Sequence, residues 1–234
     1  MIDIHCHILP GIDDGPTDMN ESIEMASVAA ADGISTIVAT PHLKDRIYPA
    51  EIIASGVAEL NRQLADRKIP VRILRGADIN AMLSLTLLKN FTINGGRYLL
   101  FEFPHTHMPN NAGQIIFNAM VSGLRPIITH PERNPSVVRD PAGLIELKET
   151  GALVQITAGS LTGDFGPEAQ ECALFLLKKG AVDIIASDAH SVDSRRPVLS
   201  EGLRVAEKIL GRGSALHLVE DNPAAVIEDR PLDA

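Results

Sequence analysis

The sequence predicts an α/β fold whose parallel strands close into a barrel, and three observations carry that expectation. Short apolar runs alternate with amphipathic stretches roughly seven times along the chain. No glycine-rich phosphate loop follows the first run, as it would in a doubly wound nucleotide-binding sheet. Histidines or carboxylates stand at the C-terminal ends of most runs, the rim where an α/β barrel builds its active site.

The first stretch, Met1 to Gly15, alternates Ile2, Ile4 and Cys6 with Asp3, His5 and His7, which is the period of a strand. On that reading His5 and His7 leave one face and Cys6 the other. Asp13 and Asp14 follow in a turn closed by Gly15 and Pro16. A helix is expected over 18–31, with Asp18 as N-cap, Glu21 three residues later and Gly33 beyond its end. Residues 36–42 read as a strand ending at His42, and 50–67 as a helix. Residues 71–79 form a strand carrying Asp78, and 98–103 one carrying Glu102. A helix over 112–122 is closed by Gly123, and a strand over 126–130 ends at His130. Asp140 caps a helix over 141–149 that Gly151 stops. Strand 153–157, helix 166–179 and strand 183–188 follow, the last ending in Asp188 with His190 two residues on. Residues 195–210 read as helical, and the tail to Ala234 as partly so. Strands alternating with helices in this way are buried on both faces, and 1–234 reads as one domain.

Bulk properties narrow the function. A hydrophobic fraction of 45% supports a full core, necessarily aliphatic because Trp is absent and aromatics are 3% of the chain. A net charge of −9 and so few aromatics exclude a nucleic-acid surface. No secretory signal or spanning apolar run argues for membrane insertion. Two isolated cysteines make no disulfide framework, so a reducing, cytoplasmic location is expected.

The polar residues at the strand ends point to metal chemistry. His5, His7, Asp14, His42, Asp78, Glu102, His130, Asp188 and His190 are more donors than one ion takes, about four to six. They suit two or three ions, and mixed imidazole and carboxylate favours manganese, iron or zinc over calcium or copper. A single strand-end histidine is ordinarily a hydrogen-bonded core residue, and Asp14 before Gly15 an ordinary turn former. Glu102 between Phe101 and Phe103 is harder to dismiss, since a buried carboxylate needs a partner. Asp188-Ala189-His190 also repeats the logic of His5-Cys6-His7. Asp3 shares a face with His5 and is expected to orient an imidazole. His105 and His107 lie beyond Pro104 and read as rim or structural residues, and His217 as exposed. Arg133, and either Arg195 or its neighbour Arg196, suit bidentate binding of a phosphate. A cysteine-nucleophile phosphatase loop is absent: six positions beyond Cys6 stands Ile12, and beyond Cys172 stands Lys178.

The ordered motifs HCH, DDGP, TPH, EFP, HPERN, QITAGSL and SDAH, with EDNPAAVI in the tail, resemble the polymerase-and-histidinol-phosphatase (PHP) superfamily. More narrowly they resemble its manganese-dependent bacterial protein-tyrosine phosphatases of capsular and exopolysaccharide operons. The resemblance implies a distorted, seven-stranded TIM-like (β/α)7 barrel with three metal ions. By motif position, His5 and His7 would hold the first ion, with Glu102 bridging and Asp188 helping. Asp78 and His130 would belong to the second, and Asp14, His42 and His190 to the third. Arg133 and Arg195 match the phosphate-binding arginines. Asp78, in GADIN, stands where relatives carry Glu, and Leu43 follows His42 where some carry a polar residue.

The function so implied is a metal-dependent phosphatase acting on phosphotyrosine, with the tyrosine-rich tail of a bacterial autokinase as substrate. Bound ions lower the pKa of water for in-line attack on phosphorus. Three alternatives stand beside it. One is a small-molecule phosphatase of the histidinol-phosphate type. Another is an amidohydrolase, which would expect a lysine at a mid-barrel strand end that none of these runs supplies. The third is a degenerate barrel that only binds its kinase, which missing ligands would indicate.

Overall fold

Aliphatic and β-branched runs form the strands, and every neighbouring pair in them is parallel. The structure, a computed structural model, describes residues 1–44 and 47–232; the last two residues of the expected tail lie outside these. One sheet has the order β1 (Ile2–Cys6), β2 (Thr36–Ala39), β4 (Arg72–Arg75). The other runs β3 (His42–Leu43), β5 (Asp78–Asn80), β6 (Tyr98–Glu102), β7 (Arg125–Thr129), β8 (Leu153–Thr157), β9 (Ile184–Ala186).

Parallel neighbours need crossovers. The larger ones use α1 (Met19–Ala31), α2 (Ala50–Asp66), α4 (Ala112–Val121), α6 (Pro141–Lys148) and α8 (Pro167–Lys178). Short helices α3 (Leu85–Leu88), α5 (Pro135–Arg139) and α7 (Ala158–Thr162) lie between them, and α9 (Ser200–Leu210), α10 (Arg212–His217) and α11 (Asp221–Ile227) end the chain. Asp18 caps α1, accepting from Asn20 N at 2.8 Å and Glu21 N at 3.1 Å. Asp140 caps α6, accepting from Gly143 N.

Three expectations change in detail. The strand over 36–42 is interrupted at Thr40-Pro41, where proline offers no N–H to a ladder. The strand over 71–79 breaks at Gly76-Ala77, beside the first break: Gly76 N donates to Ala39 O and Asp78 N to Pro41 O. The helix expected from 195 starts at Ser200, because Pro197 disfavours helical backbone at Arg196. Asp32 Oδ2 marks the new start by accepting from Leu199 N and Ser200 N.

Two apolar clusters divide the interior. The larger includes Met25, Leu60, Leu64, Ile116 and Leu176 from helices, packed against strand residues such as Ile37, Phe101 and Ile185. The smaller is built largely by strands: Ile4, Val38, Leu74, Leu100, Ile127, Ile184 and Ala186. Several of these residues stand on the strand face that carries a donor further along. Leu100 precedes Glu102 by two, and Ala186 precedes Asp188 by two. An apolar floor therefore lies beneath the polar rim.

Strand β1 departs from strict alternation. Its register shifts between Asp3 and Cys6, and Ile4 packs in the smaller cluster while Cys6 packs in the larger. A bulge re-aims side chains in this way. Beyond it, Asp188 N donates to His5 O and His7 N to Ala189 O, both at 2.8 Å, and Cys6 and Ala189 form a parallel bridge.

The loop after His7 is tightly folded. A Cβ on Gly15 would come within 2.2 Å of the His7 carbonyl oxygen. Gly15→Ala is expected to displace this turn at a cost of about 1–3 kcal/mol, lowering the melting temperature by roughly 2–10 °C. Thermal denaturation checks this, and an unchanged melting temperature would contradict it.

Candidate metal centre

The nine strand-end donors meet at one rim. His5 is in β1, His7 follows it, and Asp14 comes from the next loop. His42 opens β3, Asp78 opens β5 and Glu102 closes β6. His130 follows β7, and Asp188 and His190 follow β9. Their donor atoms fall into overlapping groups, each within 4.8 Å: His7, Asp14, His42 and His190; His5, His130 and Asp188; His5, His7 and Asp78; His42, Asp78 and Glu102. His130 thus sits with His5 and Asp188 rather than in a group with Asp78.

Hydrogen bonds fix which ring nitrogens face inward. Gln155 Oε1 lies 2.8 Å from His5 Nδ1, and its amide nitrogen donates to Ile156 O. His5 Nδ1 is therefore the donor, leaving a lone pair on Nε2. Asp13 Oδ2 accepts from His7 Nδ1 at 2.7 Å and also from His42 N at 2.9 Å. Asp188 O accepts from His190 Nδ1 at 3.0 Å, turning His190 Nε2 toward Asp14 Oδ1 at 3.3 Å.

The result is a convergence of electron pairs. His5 Nε2 and His7 Nε2 are 3.2 Å apart, and Asp188 Oδ1 is 3.3 and 3.4 Å from them. Nearby, His42 Nδ1 is 3.0 Å from Asp78 Oδ2 and 3.5 Å from Glu102 Oε2. His42 Nδ1, Asp78 Oδ2 and His190 Nε2 are sealed from water yet make no hydrogen bond among the described residues. Buried acceptors aimed at one another need positive charge between them, and the donor set fits divalent cations.

Protons and side-chain cations of the chain itself answer part of that need. Burial opposes charge on His7, but Asp13 and Asp188 outweigh it and raise its pKa to about 10. Burial lowers His5 to about 3, His42 to about 4 and His190 to about 3. Burial also raises Asp78 to about 6, and raises Glu102 to about 7 with help from the Asp78 charge. Asp188 is held well below the carboxylate range despite its burial, with His5, His7 and Arg133 opposing that penalty. Lys44 Nζ reaches Glu102 Oε2 at 2.8 Å.

Two of the donors sit on uncommon backbone. His130 has φ 36° and Asp188 φ 52°, a left-handed region that non-glycine residues seldom occupy and that accumulates at functional sites.

The arginines come from the 3₁₀ turn Pro131–Arg133 and from the segment before α9. Arg133 Nη2 and Arg195 Nη2 each donate to Asp188 Oδ2 at 2.5 Å. Arg196 is exposed, so of the two neighbours it is Arg195 that meets Asp188. His105 is 68% exposed at the rim, with Nε2 3.1 Å from Glu102 Oε1. His107 is exposed beside Thr106, and His217 pairs with Asp221 away from the rim.

One role is corrected. Asp3 orients no imidazole: its carboxylate accepts from Ser187 N at 3.0 Å, Ser187 Oγ at 2.5 Å and His5 N at 3.3 Å. It holds the backbone on which Asp188 turns. Burial raises its pKa to about 6 against the bonds from Ser187. The imidazoles are oriented by Asp13 and Gln155, which sequence reasoning passed over as a turn residue and a strand residue. The signal for Gln155 was a lone amide inside the buried run Leu153–Thr157. Glu132, buried and accepting from Thr157 N and Ser160 Oγ, was also missed.

A model of the family "Capsular polysaccharide synthesis, CpsB/CapC" matches residues 1–228. The chain belongs to the CpsB/CapC family. The tyrosine-protein phosphatase YwqE of Bacillus subtilis (strain 168) is 39% identical over 227 residues, 94% of this chain and 89% of that protein. The tyrosine-protein phosphatase CpsB of Streptococcus pneumoniae is 30% identical over 244 residues, 98% of this chain and 99% of that one. The structure also superposes on one from work on YwqE and CpsB as unique metal-dependent tyrosine phosphatases. That match has a TM-score of 0.93 at 37% identity and covers 100% of this chain and 96% of the other.

Cation uptake by these donors would displace protons, because His7 holds one up to about pH 10 and Glu102 up to about pH 7. Apparent affinity for a divalent cation is then expected to rise with pH up to about 10, roughly tenfold per unit for each proton released, with the Glu102 share ending above about 7. Calorimetric titration of the metal-free protein in buffers of different ionisation enthalpy measures both quantities. An affinity independent of pH would contradict the charge assignment.

Proposed function

We propose that this chain is a metal-dependent protein-tyrosine phosphatase. The observation that carries the reading is the convergence of His5 Nε2, His7 Nε2 and Asp188 Oδ1 beside two arginines drawn to the same carboxylate. The names of YwqE and CpsB support the activity. His5, His7, Asp14, His42, Asp78, Glu102, His130, Asp188 and His190 would hold the ions. Nine donors in four overlapping groups suit three ions with shared ligands, and a nitrogen and oxygen set without thiolate suits manganese, with iron or zinc as alternatives. When bound, such ions act as Lewis acids on phosphoryl oxygens and make water acidic enough to be a nucleophile near neutral pH.

The chain's own side chains do the rest. Arg133 and Arg195 grip the remaining phosphoryl oxygens and neutralise charge that grows in the transition state. Asp13 and Gln155 keep His7 and His5 in the tautomer that presents Nε2. Asp3 and Ser187 hold the turn that aims Asp188. A phenolate leaving group has a conjugate acid with pKa of about 10 and departs with little protonation. An alkyl alcohol requires a placed general acid, and the buried rim groups are committed as donors.

The finer architecture belongs to the same reading. Taking β2 with β3 and β4 with β5 leaves seven strands, and the parallel bridge between Cys6 and Ala189 supports closure as a distorted (β/α)7 barrel. A capsular-synthesis family and a phosphotyrosine site together suggest the tyrosine-rich tail of a bacterial autokinase as substrate. Two buried free cysteines suit a cytoplasmic setting. No helix among the described residues is long and apolar enough to cross a membrane.

Chelation is expected to abolish phosphotyrosine hydrolysis and manganese to restore it. Arg133→Ala and Arg195→Ala should each reduce turnover on the order of 10²-fold with metal content retained, and Arg196→Ala should do little. Phosphotyrosine peptides should far outpace phosphoserine peptides at equal concentration. Faster hydrolysis of histidinol phosphate would favour the small-molecule alternative, and metal-loaded protein without turnover would favour a binding barrel.

A further inference from the structure

Phe165 lies beside the two arginines and belongs to neither apolar cluster, although it is half-buried. Its ring centroid is 4.5 Å from Arg133 Cζ and 5.9 Å from Arg195 Cζ. Both distances fall within the range of cation–π attraction, about 6 Å. The two guanidiniums come from different elements, yet both donate to Asp188 Oδ2. Two like charges crowded on one oxygen repel each other. An aromatic face can touch both cations at once without consuming any of their N–H groups. Arg195 Nε, buried, makes no hydrogen bond among the described residues, so part of its donor fork is uncommitted within the protein.

The local backbone is built to put the ring there. Gly163 has φ 96° and Gly166 φ 89°, so the Asp164-Phe165 pair is folded between two left-handed residues. Asp164 N donates to Gly159 O at 2.9 Å, tying the turn back to α7. A Cβ on Gly159 would stand 3.1 Å from Phe165 Cε2, so the bare glycine lets the ring approach the helix closely. The ring's remaining edge opens on a cavity of about 530 Å³ that Arg195 also lines. A residue placed only to fill space would be in a core cluster, and this one faces cations and solvent.

We propose that Phe165 is a positioning residue for phosphate binding. Its ring is the shared platform on which Arg133 and Arg195 rest, so that both meet one phosphoryl group from set directions. Asp188 Oδ2 accepts from the same pair of guanidiniums. The inference rests on the phosphatase reading above, since it assigns both arginines to phosphate.

The test compares wild type, Phe165→Leu and Phe165→Tyr, all manganese-loaded. Three quantities are read: calorimetric binding of inorganic phosphate, metal content, and KM and kcat for a phosphotyrosine peptide. Leucine keeps an apolar side chain and removes the π face. It should weaken phosphate binding by about three- to tenfold and raise KM more than it lowers kcat, with metal content unchanged. Tyrosine restores the ring and should return phosphate binding to within about twofold of wild type. If the leucine variant does not fold, Phe165→Met takes its place with the same expectation. Phosphate binding equal to wild type in the leucine variant would overturn the proposal, as would failure of tyrosine to restore it. Loss of metal in the leucine variant would also overturn it, because the ring would then be supporting the donors instead. A wild-type protein that neither binds phosphate nor hydrolyses the peptide would overturn the phosphatase reading itself, and this inference with it. A competent wild type with an indifferent leucine variant would overturn this inference alone.

Discussion

Two imidazole nitrogens and a carboxylate oxygen face one another at the end of the first strand, and much of the surrounding structure serves that contact. His5 Nε2, His7 Nε2 and Asp188 Oδ1 lie within 3.4 Å of each other. Electron pairs so close in a dry interior are tolerated only around a positive charge. The bulge in β1, the Asp3–Ser187 anchor and the left-handed Asp188 all bring the three together. Gln155 and Asp13 stop the rings from turning away. A side chain that flipped would trade a buried hydrogen bond for nothing.

The same constraint accounts for where charge sits elsewhere on the rim. Asp78 is 0% and Glu102 3% exposed, and neither can stay ionised there unaided. Lys44 and His105 reach inward to Glu102, while Arg133 and Arg195 close on Asp188. The proton on His7 and the Lys44, Arg133 and Arg195 cations supply part of the balancing charge. On the proposed reading, bound divalent ions would take over much of that charge and leave the arginines for an anionic substrate. Asp188, held by both arginines and set beside His5 and His7, would then link the metal and the phosphate.

Much of this was legible in the sequence because period-two strands put chemistry at their ends. The donors from His5 to His190 were recognisable as a set, and the alternation of parallel strands with helices and the helix caps at Asp18 and Asp140 followed from patterning. What escaped had physical reasons. Asp3 and His5 share a strand face in sequence, but the bulge between Asp3 and Cys6 sends the Asp3 carboxylate to Ser187 instead of an imidazole. Asp13 looked like a turn former, and only the folded loop brings it to His7 Nδ1. Gln155 lies 150 residues from His5, and no local signal encodes that pairing. Pro197 displaced the start of α9, which left Arg195 on irregular backbone free to meet Asp188. The choice between Arg195 and Arg196 depends on that chain path, which sequence pattern does not carry.

A metal-dependent phosphatase of this build needs cations in this one cluster. The most direct measurement is anomalous diffraction from crystals grown with manganese, collected on both sides of the metal's absorption edge. Anomalous peaks are expected among the nine rim donors, one of them bounded by His5 Nε2, His7 Nε2 and Asp188 Oδ1. Fully ordered rim side chains with no peak among them, or peaks only at surface carboxylates, would contradict it.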